Sequence, residues 1–210
     1  MSPNSVWASD RLVYRATEQE DMDMVMEIYS DPEDLALNGD ILLCPIQIDP
    51  TWLATMQAQT LSATICLPGK TTDTTAGSAA TETDNDGLTP IGYIVVVAMD
   101  EQSQVTRSSS IGLSILKEYR NQGYGSEAIL WALNWAFRHA NIHRMEMGVY
   151  EYNRAQELYK RLGFVPEVRL RNDIWYKGRF WDRITLGMLK DEWRQKYGGT
   201  AGNGAVSESK

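Results

Sequence analysis

Basic residues are scarce: 20 lysines and arginines stand against 28 aspartates and glutamates in 210 residues, a formal net charge of -8. Nucleic-acid binders are ordinarily basic, so no nucleic acid is expected as a partner. Cysteine is rarer still. Cys44 and Cys66 stand alone, without Cys-x-x-Cys spacing, which argues against a disulfide framework and fits reduced thiols in a cytoplasmic protein. His139 and His143 are the two histidines. The helix carrying the first should end before the second, and no third ligand accompanies them, so no metal is expected. No segment approaches the roughly 18 apolar residues of a membrane span, and Met1 to Arg11 lacks the apolar stretch of a secretory leader. No membrane partner is expected either.

What is present is an ordinary globular composition, 43% apolar and 23% charged. A chain of this length buries roughly 70% of its unfolded surface, enough for one sizeable core without disulfides or metals. Its charge is unevenly placed. Residues 1–105 carry 17 acids and 3 bases, net -14, and residues 106–210 carry 11 acids and 17 bases, net +6. Either two oppositely charged surfaces serve two ligands, or the halves interleave in space and the midpoint means little.

Alternation and strand-forming residues predict a first strand at Leu12–Ala16. Thr17 and Glu20 resemble a capping box opening a helix through Met22, Val25, Met26 and Tyr29. Asp31-Pro32 should end it, and an irregular acidic stretch follows with Asp31, Glu33, Asp34 and Asp40. A second helix is expected from Asp49-Pro50 to about Leu61, then a strand at Ala63–Leu67. Lys70 to Gly87 holds no Val, Ile, Leu or aromatic residue and cannot bury enough to order itself. Ile91–Val97, nearly continuous in apolar residues, reads as a central strand. A polar turn over Asp100–Ser110 leads to a strand at Ile111–Leu116.

An apolar helix should run from Ser126 to Ala140, with Trp131, Trp135 and Phe137 as core, followed by a strand at Arg144–Tyr150. Asn153 caps a short helix bearing Ala155, Leu158, Tyr159 and Leu162, stopped by Gly163. Ile174–Tyr176 and Asp182–Leu189 form a last strand pair around Lys177-Gly178-Arg179. Strands and helices mix throughout, so the expectation is a single α/β (α+β) domain over 10–197. Residues 1–9 are an arm, 69–89 a mobile loop insertion and 198–210 a disordered tail.

The informative stretch is Arg120-Asn121-Gln122-Gly123-Tyr124-Gly125-Ser126, between a strand and the apolar helix. Successive unpaired N–H groups and the helix dipole favour phosphate there. Glycine allows close backbone approach, and Arg120 adds a fork of donors. It is neither a P-loop nor a Gly-x-Gly-x-x-Gly fingerprint.

Arg120-x-x-Gly123-x-Gly125 in this setting resembles the acetyl-CoA pyrophosphate loop of the GNAT superfamily of N-acetyltransferases. Asn153-x-x-Ala-x-x-x-Tyr159 running to Leu-Gly163-Phe164 is similar to that family's later motif. Trp175-Tyr-Lys-Gly178-Arg-Phe-Trp-Asp182 resembles the ending of its spermidine and ribosomal-protein N-terminal acetyltransferase branch. The resemblance is strong over residues 91–193 and holds only in outline over 10–60. It implies a central mixed twisted sheet of six to seven strands flanked by helices, with a bulge splaying the fourth strand from the fifth.

Acetyl-CoA would lie in that gap. Leu113, Ser114 and Ile115 would offer backbone groups to pantetheine, Arg120 and the loop from Asn121 through Gln122, Gly123, Tyr124 and Gly125 to Ser126 would hold pyrophosphate, and Asn153 would touch the cofactor from the other side. Tyr159 matches the family's general acid, with a reference pKa near 10 against about 8.5 for a thiol; the bland alternative is a core tyrosine. Glu146 is the candidate base, or else an exposed strand carboxylate. Trp175, Tyr176, Phe180 and Trp181 either pair across strands or line the acceptor site.

The expected activity is acetyl transfer to a primary amine by direct attack, with acetyl-CoA as co-substrate and no metal. Asp31, Glu33 and Asp34 sit where the family builds its acceptor wall, which favours a small cationic amine such as a polyamine or aminosugar. The alternatives are a protein N-terminal acetyltransferase and a non-catalytic acyl-CoA-binding module. A homodimer is compatible with all three.

Overall fold

The computed structural model describes residues 5–38, 49–69 and 87–198. In chain order come β1 (Val13–Arg15), α1 (Met22–Ser30), α2 (Pro32–Asn38), α3 (Trp52–Gln57), β2 (Leu61–Leu67), β3 (Thr89–Val96) and α4 (Glu101–Thr106). Then follow β4 (Ser108–Ile115), α5 (Tyr124–Arg138), β5 (Arg144–Tyr150), α6 (Ala155–Leu162), β6 (Val165–Tyr176), β7 (Arg179–Leu189) and α7 (Lys190–Tyr197). The strands form one seven-stranded sheet in the order β1-β2-β3-β4-β5-β7-β6. All neighbours are antiparallel except β4 and β5.

That parallel pair shapes the molecule. β4 and β5 are paired only at Ser108–Ser110 against Arg144–Glu146. Beyond it β4 stays with β3, through Val96↔Ile111 to Gly92↔Ile115, and β5 stays with β7 to its last residue. The splay expected from the sequence is present. The expected bulge is not its cause, because the β3–β4 register is uninterrupted. Each strand keeps its antiparallel neighbour, and the weaker parallel ladder between them gives way.

Alternation along β4 sends Ile111, Leu113 and Ile115 to one face and Gly112, Ser114 and Leu116 to the other. On the first face lies α5, whose Ala128, Ile129, Ala132, Leu133, Ala136 and Phe137 are fully buried against Ile111, Ile115, Met145 and Met147. These recur at helical spacing, and each large side chain contributes about 1.5–3 kcal/mol by leaving water. On the second face α1 buries Met24, Val25 and Ile28 against Tyr93, Val95 and Leu116.

Several elements differ from expectation, each for a local reason. Thr17 caps nothing, because its hydroxyl bonds Ser62 and Thr64 instead. The reciprocal contact is the Glu18 amide donating to Asp21. The acidic stretch after Asp31 is α2: Pro32 occupies its first turn, where a missing N–H costs nothing. The second helix is confined to Trp52–Gln57 because β2 begins at Leu61. Within the expected turn Asp100 accepts from the Ser103 amide and caps α4. The last hairpin is longer than expected. Its turn uses left-handed Lys177 (φ 49°) and Gly178 (φ 79°), matching strand twist.

The arm is also part of the fold where it is described. The Tyr14 amide donates to Trp7 O, and Trp131 Nε1 on α5 donates to Val6 O. Tyr14 stacks on Trp131 at 3.7 Å. Most of the loop over 69–89, the tail from 199, Asp40 and Cys44 fall outside the described residues. Among the described residues no helix is long and apolar enough to cross a membrane. Replacing Phe137, fully buried beneath the sheet, by Ala should cost about 3–5 kcal/mol in denaturant unfolding, by lost transfer energy plus a cavity.

Candidate active site

The site is built where β4 leaves β5. The Val97 amide bonds Ser110 O and the Leu116 amide bonds Ile91 O, so even-numbered residues of β4 turn their backbone to β3. Ile111, Leu113 and Ile115 therefore turn theirs into the gap beside β5. Of the three residues expected to meet pantetheine, Leu113 and Ile115 turn their backbone into the gap. Ser114 does not: its backbone is committed to β3 by the alternation, and its side chain lies nearly buried on the α1 face. The Ile115 carbonyl is itself taken by Arg120 Nε at 2.7 Å.

The turn after β4 delivers the chain to α5. Asn121 (φ 59°) and Gly123 (φ 87°) adopt left-handed backbone, the second as N-cap of α5. The first helical bond in this stretch runs from the Glu127 amide to Gly123 O. Among the described residues the amides of 121–126 have no acceptor. A Cβ at Gly125 would lie 3.4 Å from Leu113, an ordinary van der Waals contact where α5 packs on β4. Free amides, a helix dipole and an open strand edge together fit an acyl-CoA, with phosphates at residues 121–126 and the acyl arm along β4. Gln122 Nε2 folds back onto Glu118 O, leaving its amide clear.

Arg120 is placed otherwise than expected. Its two terminal nitrogens fork onto Asp34 at 2.6 and 2.5 Å. Asp34 is 5% exposed, so the pair removes both from the roles read from the sequence. The guanidinium is spent on a carboxylate rather than phosphate, and the carboxylate is spent on α2 docking rather than an amine. Lys117 likewise bridges Asp31 and Glu33. Amide donation by Glu33 and the Lys117 ammonium hold the Asp31 carboxyl below the usual range. Beside them lies a cavity of about 690 Å³ lined by Glu27, Ser30, Asp31, Asp34, Lys117 and Glu118 among others.

Tyr159 lies on α6, its ring 6.2 Å from Phe164. Burial pushes its hydroxyl up to about 12, and among the described residues that hydroxyl has no hydrogen-bond partner. Glu146 is placed away from the mouth. It faces Ser110 within the parallel ladder, at the closed end of the gap. Arg144 holds it through Nε at 2.7 Å and pairs through Nη2 with Glu167. Asn153 accepts from the Ala155 amide and donates to Leu37 O, tying the start of α6 to α2.

Tyr176 packs 4.7 Å from Tyr152, whose hydroxyl bonds Ala36 O on α2. Lys177 already covers the Tyr176 ring. Trp175 is 61% exposed and pairs with Phe180 across the hairpin, away from this cluster. His139 ends α5, and among the described residues no three metal-ligating side chains cluster.

Sequence reading missed Arg11 and Glu127. Glu127, in the first turn of α5, accepts from Ser9 Oγ, the Arg11 amide and Arg11 Nε. No local pattern announces partners 116 residues apart. One signal existed: Arg11 is one of 3 bases among the first 105 residues, so its charge had few local reasons to be there.

Two measurements test these pairs. In a double-mutant cycle, Asp34→Asn and Arg120→Gln should each cost about 2 kcal/mol and prove strongly non-additive. That lies below the range for fully buried pairs because Arg120 is 28% exposed. The second is acid titration. Burial opposes ionisation of Glu127, but Ser9 and Arg11 outweigh it and hold its carboxyl below the reference 4.5. The stabilisation is therefore present above the unfolded value and lost as pH falls through the folded one. Tryptophan fluorescence from Trp7 and Trp131 should report arm release below about pH 4.5, with that step absent in Glu127→Gln.

Comparisons with known proteins agree with this architecture. The family profile described as "Acetyltransferase (GNAT) domain" matches residues 11–165. An uncharacterized N-acetyltransferase of the SPbeta prophage in Bacillus subtilis is 32% identical over 87 residues, 41% of this chain and 49% of that protein. The spermidine N(1)-acetyltransferase of Vibrio cholerae is 28% identical over 101 residues, 48% of this chain and 58% of its own. The chain thus spans about half the length of the curated relatives it matches. In three dimensions it resembles spermidine N-acetyltransferase from Vibrio cholerae in complex with CoA and spermine, at TM-score 0.68 and 18% identity over 88% of this chain and 99% of that one. A Bacillus anthracis GNAT-family acetyltransferase gives TM-score 0.66 at 19% identity, over 88% and 98%. With a single family profile covering most of its length, and a sheet that parts between β4 and β5, the chain belongs to the GNAT acetyltransferase domain family.

Proposed function

We propose that the protein is an acetyl-CoA-dependent N-acetyltransferase acting on a primary amine of a small cationic acceptor, a polyamine or an aminosugar. The observation that carries this reading is the gap between β4 and β5, ending on the unaccepted amides of 121–126. When bound, acetyl-CoA would supply a thioester whose carbonyl carbon the amine attacks, the C–S bond breaking as the C–N bond forms. The proton lost by the amine and the one gained by the thiol balance.

The residues divide the remaining work. The backbone of Leu113 and the Ile115 amide orient the acyl arm as a neighbouring strand would. The amides at the start of α5 hold negative charge without a solvent-reordering cost. Tyr159, with its pKa at about 12, stays protonated at neutral pH. Full transfer to a thiolate near 8.5 would be uphill by about 5 kcal/mol. Its role is therefore to donate a hydrogen bond to the sulfur as charge develops, rather than to surrender the proton early. Glu146, held by Arg144 at the closed end, is assigned no step.

Glu27 and Glu118, the acids lining the cavity beside α1 and α2 that no ion pair takes up among the described residues, support a cationic acceptor. The likeness to the Vibrio cholerae spermidine N-acetyltransferase in complex with CoA and spermine supports the same class. A thiol-release assay with acetyl-CoA against polyamines, aminosugars and short peptides tests the reading. Turnover only with peptides would favour an N-terminal acetyltransferase. CoA-dependent melting without any turnover would favour a binding module. Tyr159→Phe should lower kcat about 100-fold with the acceptor KM within about twofold. The wild type should show no alkaline loss from this group across pH 7–9, and unchanged turnover in the variant would remove Tyr159 from the reaction.

A further inference from the structure

With Arg120 locked onto Asp34 and Lys117 onto Asp31 and Glu33, the loop that should hold phosphate has lost its two nearest sequence cations. The structure supplies another from the far end of the chain. Arg11 Nε donates to Glu127 at 2.8 Å and Nη1 donates to Gln122 O at 3.0 Å. The guanidinium lies over the Tyr124 ring, 4.7 Å from its centroid. That leaves Nη2, which among the described residues has no hydrogen-bond partner. It stands at Gly123: a Cβ built there would be 3.1 Å from it.

We infer that Arg11 is the cationic ligand of the cofactor's pyrophosphate, donating from Nη2 alongside the amides of 121–126. The inference rests on the acetyl-CoA reading above and names a residue that neither motif contains. Three restraints fix the side chain, so the rotamer entropy of a long arginine is lost on folding rather than on binding. The charge balance also requires it. Glu127 sits in the first turn of the same helix and would repel a phosphate unless neutralised. One guanidinium both cancels that carboxylate and presents a charged donor for a charge-assisted hydrogen bond. Residues 5–11 reach this place because Trp131 and Tyr14 hold the arm on α5.

Calorimetric titration of the purified full chain with CoA, dephospho-CoA and S-acetylpantetheine tests this. Arg11→Gln should weaken CoA and dephospho-CoA alike by about 10- to 100-fold, while S-acetylpantetheine, which has neither the pyrophosphate nor the 3′-phosphate, binds as to wild type. Equal loss for all three probes would make Arg11 structural and overturn the inference. Loss for CoA alone would move the contact to the 3′-phosphate and overturn it as stated. The double variant Arg11→Gln with Glu127→Gln covers the remaining possibility. Affinity restored to wild type would mean that Arg11 only screens Glu127, whereas a double variant as weak as the single supports direct donation. Wild-type protein that binds no CoA would sink the function reading itself, and the inference with it. Binding by wild type with no change in Arg11→Gln would sink the inference alone.

Discussion

The parting of β4 from β5 is the constraint on which the site depends. A sheet gains most where antiparallel ladders run on, and here both do: β4 with β3, β5 with β7. The parallel ladder between them is held only at Ser108–Ser110 and Arg144–Glu146. Past that point Ile111, Leu113 and Ile115 have backbone groups without a strand opposite them. An interior strand edge of this kind is unstable unless something pairs with it. On the proposed reading an extended acyl arm would do so, and the same divergence leaves the start of α5 open above it.

Electrostatics then closes the structure around this opening. The acids of α1 and α2 meet the bases of the turn before α5: Asp31 and Glu33 on Lys117, Asp34 on Arg120. Among the described residues these contacts pair three of the 17 acids of the first half with two of the 17 bases of the second, so part of the uneven charge is internal pairing, an acidic layer seated on a basic loop. The pairing also runs the other way, with Arg11 from the acidic half neutralising Glu127 in the basic half. Charge left for ligands lies at the margins, in the acidic cavity and at Nη2 of Arg11.

Elements that depend on their own residues were readable. Ile91–Val97 is apolar throughout and became the buried strand β3. Gly163 stopped α6 through its left-handed backbone (φ 100°). Arg144–Tyr150 came out with its expected bounds. Elements whose signals were ambiguous were not readable. Asp31-Pro32 ends α1 as expected, but the same Pro32 also starts α2, in a stretch expected to be irregular, since proline suits both positions. β6 is exposed along nearly all its length and shows no clean alternation, so only its last residues looked like a strand. The helix α7 hides in a polar sequence, held by the single buried Trp193 against Phe137.

The glycine loop, the asparagine–tyrosine helix and the family they indicate follow from local patterns, because turn geometry, caps and apolar spacing are properties of consecutive residues. Which charges face the loop does not follow. A guanidinium chooses among carboxylates by distance and burial. Those were decided only when α2 settled against Arg120 and the arm folded back onto α5. Local chemistry specified a phosphate-shaped turn. The tertiary fold took Arg120 from it and brought Arg11 to it.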